Sequence, residues 1–154
     1  MRGTLEIFVD GACSGNPGEA GIGVVINRQG KTIKEISRAI GEATNNIAEY
    51  SALVYALQEA MVMKAKSIQV FTDSELMFRQ VMGAYKVKNE KLSFLHDQVR
   101  RLMSGFDHVD LKHVRREFNK HADKLATQAI KEKQAKMVAP LFDNIGEESP
   151  SSEG

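Results

Sequence analysis

The expected fold of the chain is set by one stretch, residues 4–18, which read TLEIFVDGACSGNPG. Leu5, Ile7 and Val9 alternate with other β-forming residues, and this alternation predicts a strand with one buried face. The strand is expected to end at Asp10, because the residues after it are dense in glycine, asparagine and proline and indicate a turn. The sequence therefore places an acid at the carboxyl end of an apolar strand.

The rest of the chain continues with a change of hydrophobic period. Alternation predicts further strands, and apolar residues at helical spacing predict helices that begin near Ser74, Asn89 and Asn119. The expected order is βββαβααβα, an α/β fold in which a mixed sheet is flanked by helices. After the first strand, the expected elements are strands at 21–27 and 31–40, a helix at 44–64, a strand at 67–72, helices at 74–82 and 89–105, a strand at 107–114 and a helix at 119–136.

The composition is that of an ordinary globular protein. Of 154 residues, 42% are hydrophobic and 27% are charged, which argues against a disordered chain. No apolar run approaches the roughly 20 residues needed to span a bilayer, and the first residues do not resemble a signal peptide. The single cysteine, Cys13, cannot form an internal disulfide. We expect a monomer in the cytoplasm without a membrane partner.

The charge is divided unevenly along the chain. Lys and Arg total 21 and Asp and Glu total 20, a net charge of +1 that by itself does not indicate nucleic acid. Residues 137–154 hold four acids and no basic residue, so residues 1–136 carry a net charge of +5. We expect one folded domain over residues 1–136 and an acidic, flexible tail over residues 137–154.

Four acids stand where a surface charge is unexpected: Asp10 and Asp73 after apolar strands, Glu49 within an alanine-rich helix, and Asp123 in the first turn of the last helix. Ligands in open sheets gather at the carboxyl ends of strands, so Asp10 and Asp73 would converge if their strands are neighbours. Each aspartate also has a simpler explanation, as a turn former, a helix cap or a partner of the helix dipole. Glu49 is hardest to explain in this way, because a charge among apolar residues usually has a partner.

A cluster of these carboxylates would need a cation, because like charges at close range cannot all stay ionised. Oxygen ligands without a Cys/His cluster suit Mg²⁺ or Mn²⁺ better than zinc.

Four motifs resemble those of type-1 ribonuclease H, in the order of that family. They are residues 10–18 (DGACSGNPG), 44–50 (TNNIAEY), 72–74 (TDS) and 113–126 (HVRREFNKHADKLA), and the resemblance covers about residues 3–134. It implies a ribonuclease H-like fold, with a five-stranded mixed sheet of three antiparallel and two parallel strands.

The resemblance also implies an activity. Asp10, Glu49, Asp73 and Asp123 would hold two Mg²⁺ ions, with Mn²⁺ as the alternative, at the scissile phosphate of an RNA–DNA hybrid. The enzyme would be an endoribonuclease that cuts the RNA strand and leaves 5′-phosphate and 3′-hydroxyl ends. His113 matches the family's mobile histidine, which assists proton transfer or product release.

Further residues are implied to contact the hybrid in its minor groove, where 2′-hydroxyls distinguish RNA from DNA. The simpler explanation is that these residues form a hairpin turn and cap helices, and both explanations can hold at once. The implied minor-groove contacts are Cys13, Asn16, Asn45 and Asn46, with Gly11 and Gly15 letting the backbone approach the sugars. Thr44 and Asn119 are implied to contact phosphates instead.

The sequence departs from the pattern of many family members in one region that binds substrate. Many bacterial members of the family insert a basic, Trp-rich helix and loop, whereas residues 83–89 are short here and the chain has no Trp. The sequence therefore resembles the branch that lacks this protrusion. Other basic residues would then bind the substrate, and the candidates are Lys86, Lys88, Lys91, Arg100, Arg101, Arg115 and Arg116.

Two other classes compete with the enzyme. A non-catalytic nucleic-acid-binding module of the same fold is disfavoured by the presence of all four acids. A reverse-transcriptase ribonuclease domain is disfavoured by the length of the chain, and a DNA-cleaving integrase by the Gly-Asn-Pro-Gly sequence at residues 15–18.

Overall fold

The computed structural model describes residues 3–153, and their side chains from residue 3 to residue 138. The element order is β1 (Leu5–Gly15), β2 (Gly18–Arg28), β3 (Lys31–Ala43), α1 (Asn45–Val62), β4 (Ser67–Thr72), α2 (Glu75–Val81), α3 (Glu90–Met103), β5 (His108–His113) and α4 (Lys120–Glu153), with a short 3₁₀ turn at Arg116–Phe118 before α4. The predicted order βββαβααβα is confirmed.

The strands form one five-stranded sheet in the order β3-β2-β1-β4-β5. β1, β2 and β3 pair antiparallel, whereas β4 is parallel both to β1 and to β5. The sheet therefore has the predicted mixture of an antiparallel meander and a parallel pair added to it, and the carboxyl end of β4 lies beside Val9 in the middle of β1.

The first hairpin is longer than the sequence predicts. β1 does not end at Asp10 but pairs with β2 as far as Gly15 opposite Gly18, so only Asn16 and Pro17 remain for the turn. Glycine and small residues can still form the hydrogen bonds of a β-ladder when a neighbouring strand covers them, and this context outweighs their low strand propensity.

The helix starts agree with the sequence. The side chain of Thr44 accepts a hydrogen bond from the backbone N–H of Ile47, and Ser74 and Asn89 cap α2 and α3 in the same way. These caps satisfy backbone donors that have no partner within the helix.

Helices cover both faces of the sheet. On one face, apolar side chains of β1, β2 and β4 form the main core with α1, which also contacts α3. On the other face, α4 buries Ala122 and Leu125 against Val25 of β2. In the resulting three layers, the segment of β1 around Asp10 lies between α1 and α4.

α4 packs closely on β2 because β2 has glycine where the two elements touch. A Cβ built on Gly23 would lie 2.0 Å from the carbonyl oxygen of Ala122, and one on Gly21 would lie 2.5 Å from that of Ala126. The absence of side chains at these two positions allows the first turns of α4 to rest on the strand backbone.

α4 is longer than its apolar periodicity predicts. The periodicity ends near Lys136, whereas the helix continues to Glu153, because backbone hydrogen bonding in a helix does not require an apolar face. The side chains of residues 139–154 lie outside the described residues, and the division of the chain at residue 136 stays a prediction. Within the described part of the chain, no helix combines the length and the apolar character that crossing a membrane requires.

Candidate active site

Three carboxylates from three elements meet at one edge of the sheet. Asp10 lies on β1, Glu49 on α1, and Asp73 directly after β4, and each offers an oxygen within 4.8 Å of the others. Val9 pairs with Thr72, so the aspartates follow neighbouring positions on adjacent parallel strands. The convergence of Asp10 and Asp73 that the strand pattern predicts is therefore observed.

Glu49 reaches the cluster because α1 passes very close to β1. A Cβ on Gly11 would lie 2.3 Å from the carbonyl carbon of Ala48 and 2.5 Å from the backbone nitrogen of Glu49, so only glycine fits here. The backbone N–H of Gly11 donates a short hydrogen bond to Oε1 of Glu49. The same residue thus allows the helix to approach and orients the carboxylate.

The cluster is costly to ionise without a cation. Asp10 and Glu49 are only 5% and 8% exposed. Burial, followed by the charge of Glu49, raises the pKa of Asp10 far above its ordinary range. Burial also raises the pKa of Glu49, although hydrogen bonds from Asp10 and from Gly11 oppose the shift. The two groups therefore share a proton when no metal is bound.

Asp123 stands at the rim of the cluster. It is exposed in the first turn of α4, and its hydrogen bond with Asp10 contributes to the raised pKa of Asp10. It lies on a cavity of about 440 Å³ whose lining includes all four predicted carboxylates. The complete lining is Asp10, Gly11, Ala12, Cys13, Asn45, Asn46, Glu49, Asp73, Ser74, Arg116 and Asp123.

These residues fit a hard divalent cation. The four acids offer only oxygen atoms, which Mg²⁺ and Mn²⁺ prefer. The raised pKa values of Asp10 and Glu49 show that the fold holds negative groups together at a cost that a bound cation would offset.

Asn119 lies beneath the carboxylates. Its side chain is 1% exposed, and its Nδ2 donates to the carbonyl oxygen of Val9 at 2.8 Å and to Oδ2 of Asp73 at 3.3 Å. A phosphate contact by Asn119 stays a prediction. In the structure the side chain ties the end of β1 to Asp73.

His113 is one strand removed from the cluster. It ends β5 opposite Thr72, is exposed, and does not line the cavity. Its ring lies 5.9 Å from that of Phe78, at an interplanar angle of 32°. The imidazole is therefore beside the site and open to solvent.

The other predicted contact residues divide into two groups. Gly11, Cys13, Asn45 and Asn46 line the carboxylate cavity, whereas Gly15 does not. A neighbouring depression of about 740 Å³ shares Asn46 and is lined by Asn16, Thr44, Asn46, Ile47, Asn89, Glu90, Lys91 and Leu92.

Two of these side chains already have partners within the protein. Oδ1 of Asn16 accepts from the backbone N–H of Asn45 at 3.0 Å, and Sγ of Cys13 donates to the carbonyl oxygen of Ala43 at 3.2 Å. Burial raises the pKa of the Cys13 thiol. These contacts fix the β1–β2 hairpin against the start of α1.

Arg116 lies at the cavity, although the sequence did not place it with the carboxylates. It lines the cavity, and its charge lowers the pKa of Glu49, although burial outweighs this effect. The sequence signal for this position is the pair Arg115–Arg116 in the fourth motif, but from sequence alone the pair indicates only general substrate binding. Its place among acids gives the cavity a positive group that can meet a phosphate.

The fold and the cluster together define an α/β domain of the class that binds metal cations with carboxylates at the carboxyl edge of its sheet. The sequence matches the family described as reverse transcriptase-like over residues 8–129. It is also 38% identical over 129 residues to ribonuclease HI of Halobacterium salinarum. The chain belongs to the ribonuclease H family.

Solved structures agree with this assignment. Ribonuclease H1 of Halobacterium salinarum superposes with a TM-score of 0.82 at 37% identity, and the match covers 84% of this chain and 99% of that one. LC11-RNase H1 in complex with an RNA/DNA hybrid gives a TM-score of 0.81 at 39% identity, over 85% of this chain and 99% of that one.

Two of the curated relatives are longer proteins. The match covers 83% of this chain and 65% of the Halobacterium salinarum enzyme. A bifunctional protein of Mycobacterium tuberculosis is 37% identical over 155 residues, which are 97% of this chain and 42% of that protein. The chain thus spans less than two thirds of each of these two relatives.

Proposed function

We propose that this protein is an endoribonuclease that hydrolyses the RNA strand of RNA–DNA hybrids with divalent cations, leaving 5′-phosphate and 3′-hydroxyl ends. The observation that carries the proposal is the cluster of Asp10, Glu49 and Asp73, whose oxygens lie within 4.8 Å of one another in a ribonuclease H fold. The LC11 relative in complex with an RNA/DNA hybrid supports the same substrate here.

In this proposal Asp10, Glu49, Asp73 and Asp123 hold two Mg²⁺ ions. When bound, such ions activate a water nucleophile and stabilise charge on the phosphate and on the leaving oxygen. The protein supplies the geometry, because Gly11 orients Glu49 by a backbone hydrogen bond and Asn119 orients Asp73. Ligands fixed in this way need little rearrangement when the substrate arrives.

His113 is proposed to move a proton near the leaving 3′ oxygen. An imidazole ring nitrogen can accept a proton and, once protonated, donate it. Its exposed position on β5, beside Asp73 but outside the cavity, suits a group that approaches the substrate from one side.

Residues that line the cavity are proposed to recognise the hybrid. The backbone from Gly11 to Cys13 and the side chains of Asn45 and Asn46 would meet the minor groove, where 2′-hydroxyls mark the RNA strand. Arg116 would bind a phosphate group of the hybrid. Because residues 83–89 form no protrusion, Lys86 and Lys88 in this connection are proposed to hold the hybrid instead.

The test is a cleavage assay with an end-labelled RNA strand, presented as an RNA–DNA hybrid, as double-stranded RNA and as single-stranded RNA, together with a labelled DNA duplex. Only the hybrid should be cut, with Mg²⁺ or Mn²⁺ present, and a chelator should abolish cleavage. Binding of the hybrid without cleavage under every metal condition would instead establish a non-catalytic module. Cleavage of the DNA duplex would contradict the proposed substrate.

Three finer features belong to the same proposal: Mg²⁺ as the cation used in the cell, a monomeric protein, and a cytoplasmic location. The first rests on the all-oxygen ligand set. The other two rest on composition and stay predictions.

A further inference from the structure

A second groove leaves the carboxylate cavity on the side of α4. It has a volume of about 420 Å³ and is lined by Asp123, Lys124, Thr127, Gln128 and Lys131. Asp123 belongs to both the groove and the cavity. The groove therefore adjoins the cavity at Asp123 and extends from there along α4.

The groove is one face of the helix. Residues 124, 127, 128 and 131 are spaced by three and four positions, which places their side chains in line. The apolar residues of these turns point the other way, since Leu125, Ala126 and Ala129 are buried. The groove is therefore lined by the side chains of two lysines, a threonine and a glutamine, with the acid Asp123 at the end that it shares with the cavity.

The two lysines of this face are free to bind an anion. Among the side chains described for residues 3–138, neither Lys124 nor Lys131 forms an ion pair. The hydroxyl of Thr127 donates to the carbonyl oxygen of Asp123 at 2.9 Å, and Gln128 donates to Glu132 at 2.9 Å. The attachment points of the lysines are about 10 Å apart along the helix, so together they can serve successive groups of an extended polyanion.

We propose that Lys124 and Lys131 bind backbone phosphates of the RNA strand where that strand runs on from the carboxylate cluster. This inference rests on the proposed function and adds a strand-specific contact to it. The strand being cut is the one held at Asp123, and the groove continues from that residue. The depression on the opposite side of the cavity shares Asn46 instead and is thus available to the other strand. Flexible ammonium groups suit phosphate contacts that do not read sequence.

The test compares the double variant Lys124→Gln/Lys131→Gln with the matched control Lys31→Gln/Lys66→Gln. Both control lysines are exposed and lie at the opposite end of the sheet, where β3 and β4 begin. Hybrid binding is measured by fluorescence anisotropy at several salt concentrations, with Asp10→Asn added to every protein so that no substrate is cut.

The groove variant should bind the hybrid about tenfold more weakly, and the slope of log affinity against log salt should fall by about 1–2, one for each phosphate that a lysine no longer neutralises. The control variant should bind the hybrid with the same affinity and the same salt dependence as the parent protein. An unchanged slope in the groove variant, or an equal weakening in the control, would overturn the proposal. Because this readout does not depend on cleavage, it separates failure of the groove from failure of the proposed activity.

A second arm tests the choice of strand. Uncharged methylphosphonate linkages are placed beside the central ribonucleotides in the RNA strand of one hybrid and in the DNA strand of another. Neutral linkages in the RNA strand should weaken binding by the parent but have little further effect on the groove variant. Neutral linkages in the DNA strand should weaken both proteins equally. The reverse pattern would refute the assignment to the RNA strand.

Discussion

Gly11 shows how one residue controls the site. Its backbone N–H holds Glu49, and its missing side chain leaves room for the backbone of α1. A methyl group at this position would meet main-chain atoms of Ala48 and Glu49, which cannot rotate away. The helix and its carboxylate would have to move together.

We therefore expect Gly11→Ala to lower kcat on hybrid substrate by about 100-fold, since a displacement of the order of 1 Å at a catalytic group has this effect. Steady-state cleavage and thermal melting would measure the change. Gly3→Ala is the matched control, because a Cβ there would have only Gln29 nearby, at 4.0 Å. Equal kcat values for the two variants would show that α1 does not need this close approach.

The raised pKa of Asp10 predicts a pH-dependent stability of the metal-free protein. The proton on Asp10 is retained in the folded state and lost in the unfolded state once the pH exceeds about 3.8, the ordinary value. Its stabilising contribution is complete below that pH and is lost as the pH rises toward the raised pKa. Asp10→Asn removes this titration and should therefore become progressively more stable than the wild type on going from acidic to neutral pH.

Thermal melts in chelator should show the stability gain of Asp10→Asn growing by at least about 1.4 kcal/mol between pH 4 and pH 8, the equivalent of one unit of pKa shift. Saturating Mg²⁺ should reduce the difference in stability between Asp10→Asn and the wild type, because the ion stabilises the wild type. Asp97→Asn, at an exposed position on α3, is the control. A constant difference between Asp10→Asn and wild type at every pH would show that Asp10 is not desolvated as described.

Individual site residues differed in how far the sequence could predict them. Asp10 and Asp73 could be placed because each comes after an alternating apolar stretch, and neighbouring parallel strands bring such positions together. Asn119 could not, because its sequence position also fits a helix start, and only the packing of α4 on β1 shows that its side chain is buried. Arg116 likewise needed the path of the 3₁₀ turn.

At the scale of elements, the contact between β2 and α4 positions Asp123. The Cβ of an alanine at position 23 would lie 2.0 Å from the carbonyl oxygen of Ala122 and 2.8 Å from the backbone nitrogen of Ala126. Neither atom can move unless the helix moves. Since Asp123 follows Ala122, a shift of the helix carries the carboxylate with it.

Gly23→Ala should therefore destabilise the protein by about 1–3 kcal/mol, the usual range for overpacking, and should also reduce cleavage. Urea unfolding and the hybrid assay would measure the two effects. For comparison, Gly105→Ala also creates a close contact, but with the terminal methyl group of Met61, at 2.3 Å. That flexible side chain can rotate, so Gly105→Ala should cost much less. Equal costs would contradict the argument from backbone contact.

The ends of helices and strands could be predicted from the sequence where they depend on side chains nearby in the chain. The caps at Thr44, Ser74 and Asn89 were visible because each side chain bonds within its own helix. The extension of β1 to Gly15 was missed because it depends on pairing with β2, a partner that local propensity does not report. The length of α4 was missed for a related reason, since apolar periodicity records burial and not backbone conformation.

At the scale of the whole molecule, the near-neutral net charge is the sum of a basic segment and an acidic one. Residues 1–136 carry +5, and two bound divalent cations would add four positive charges at the cluster. The carboxylates that lower the net charge of the free protein are thus the groups that would make the site attractive to a polyanion. The lysines of the α4 groove lie beside these acids, so steering and catalysis would act on the same strand.

The carboxylate cluster is proposed to cut the RNA strand of a hybrid. The most direct test is single-turnover cleavage of a labelled hybrid in Mg²⁺ by the wild type and by Asp10→Asn, with hybrid affinity measured on the same preparations. We predict that Asp10→Asn lowers the cleavage rate by at least about 1,000-fold, the loss of roughly 4 kcal/mol of transition-state stabilisation, and binds the hybrid within a few-fold of the wild type. Cleavage by Asp10→Asn at a rate near that of the wild type would contradict the account.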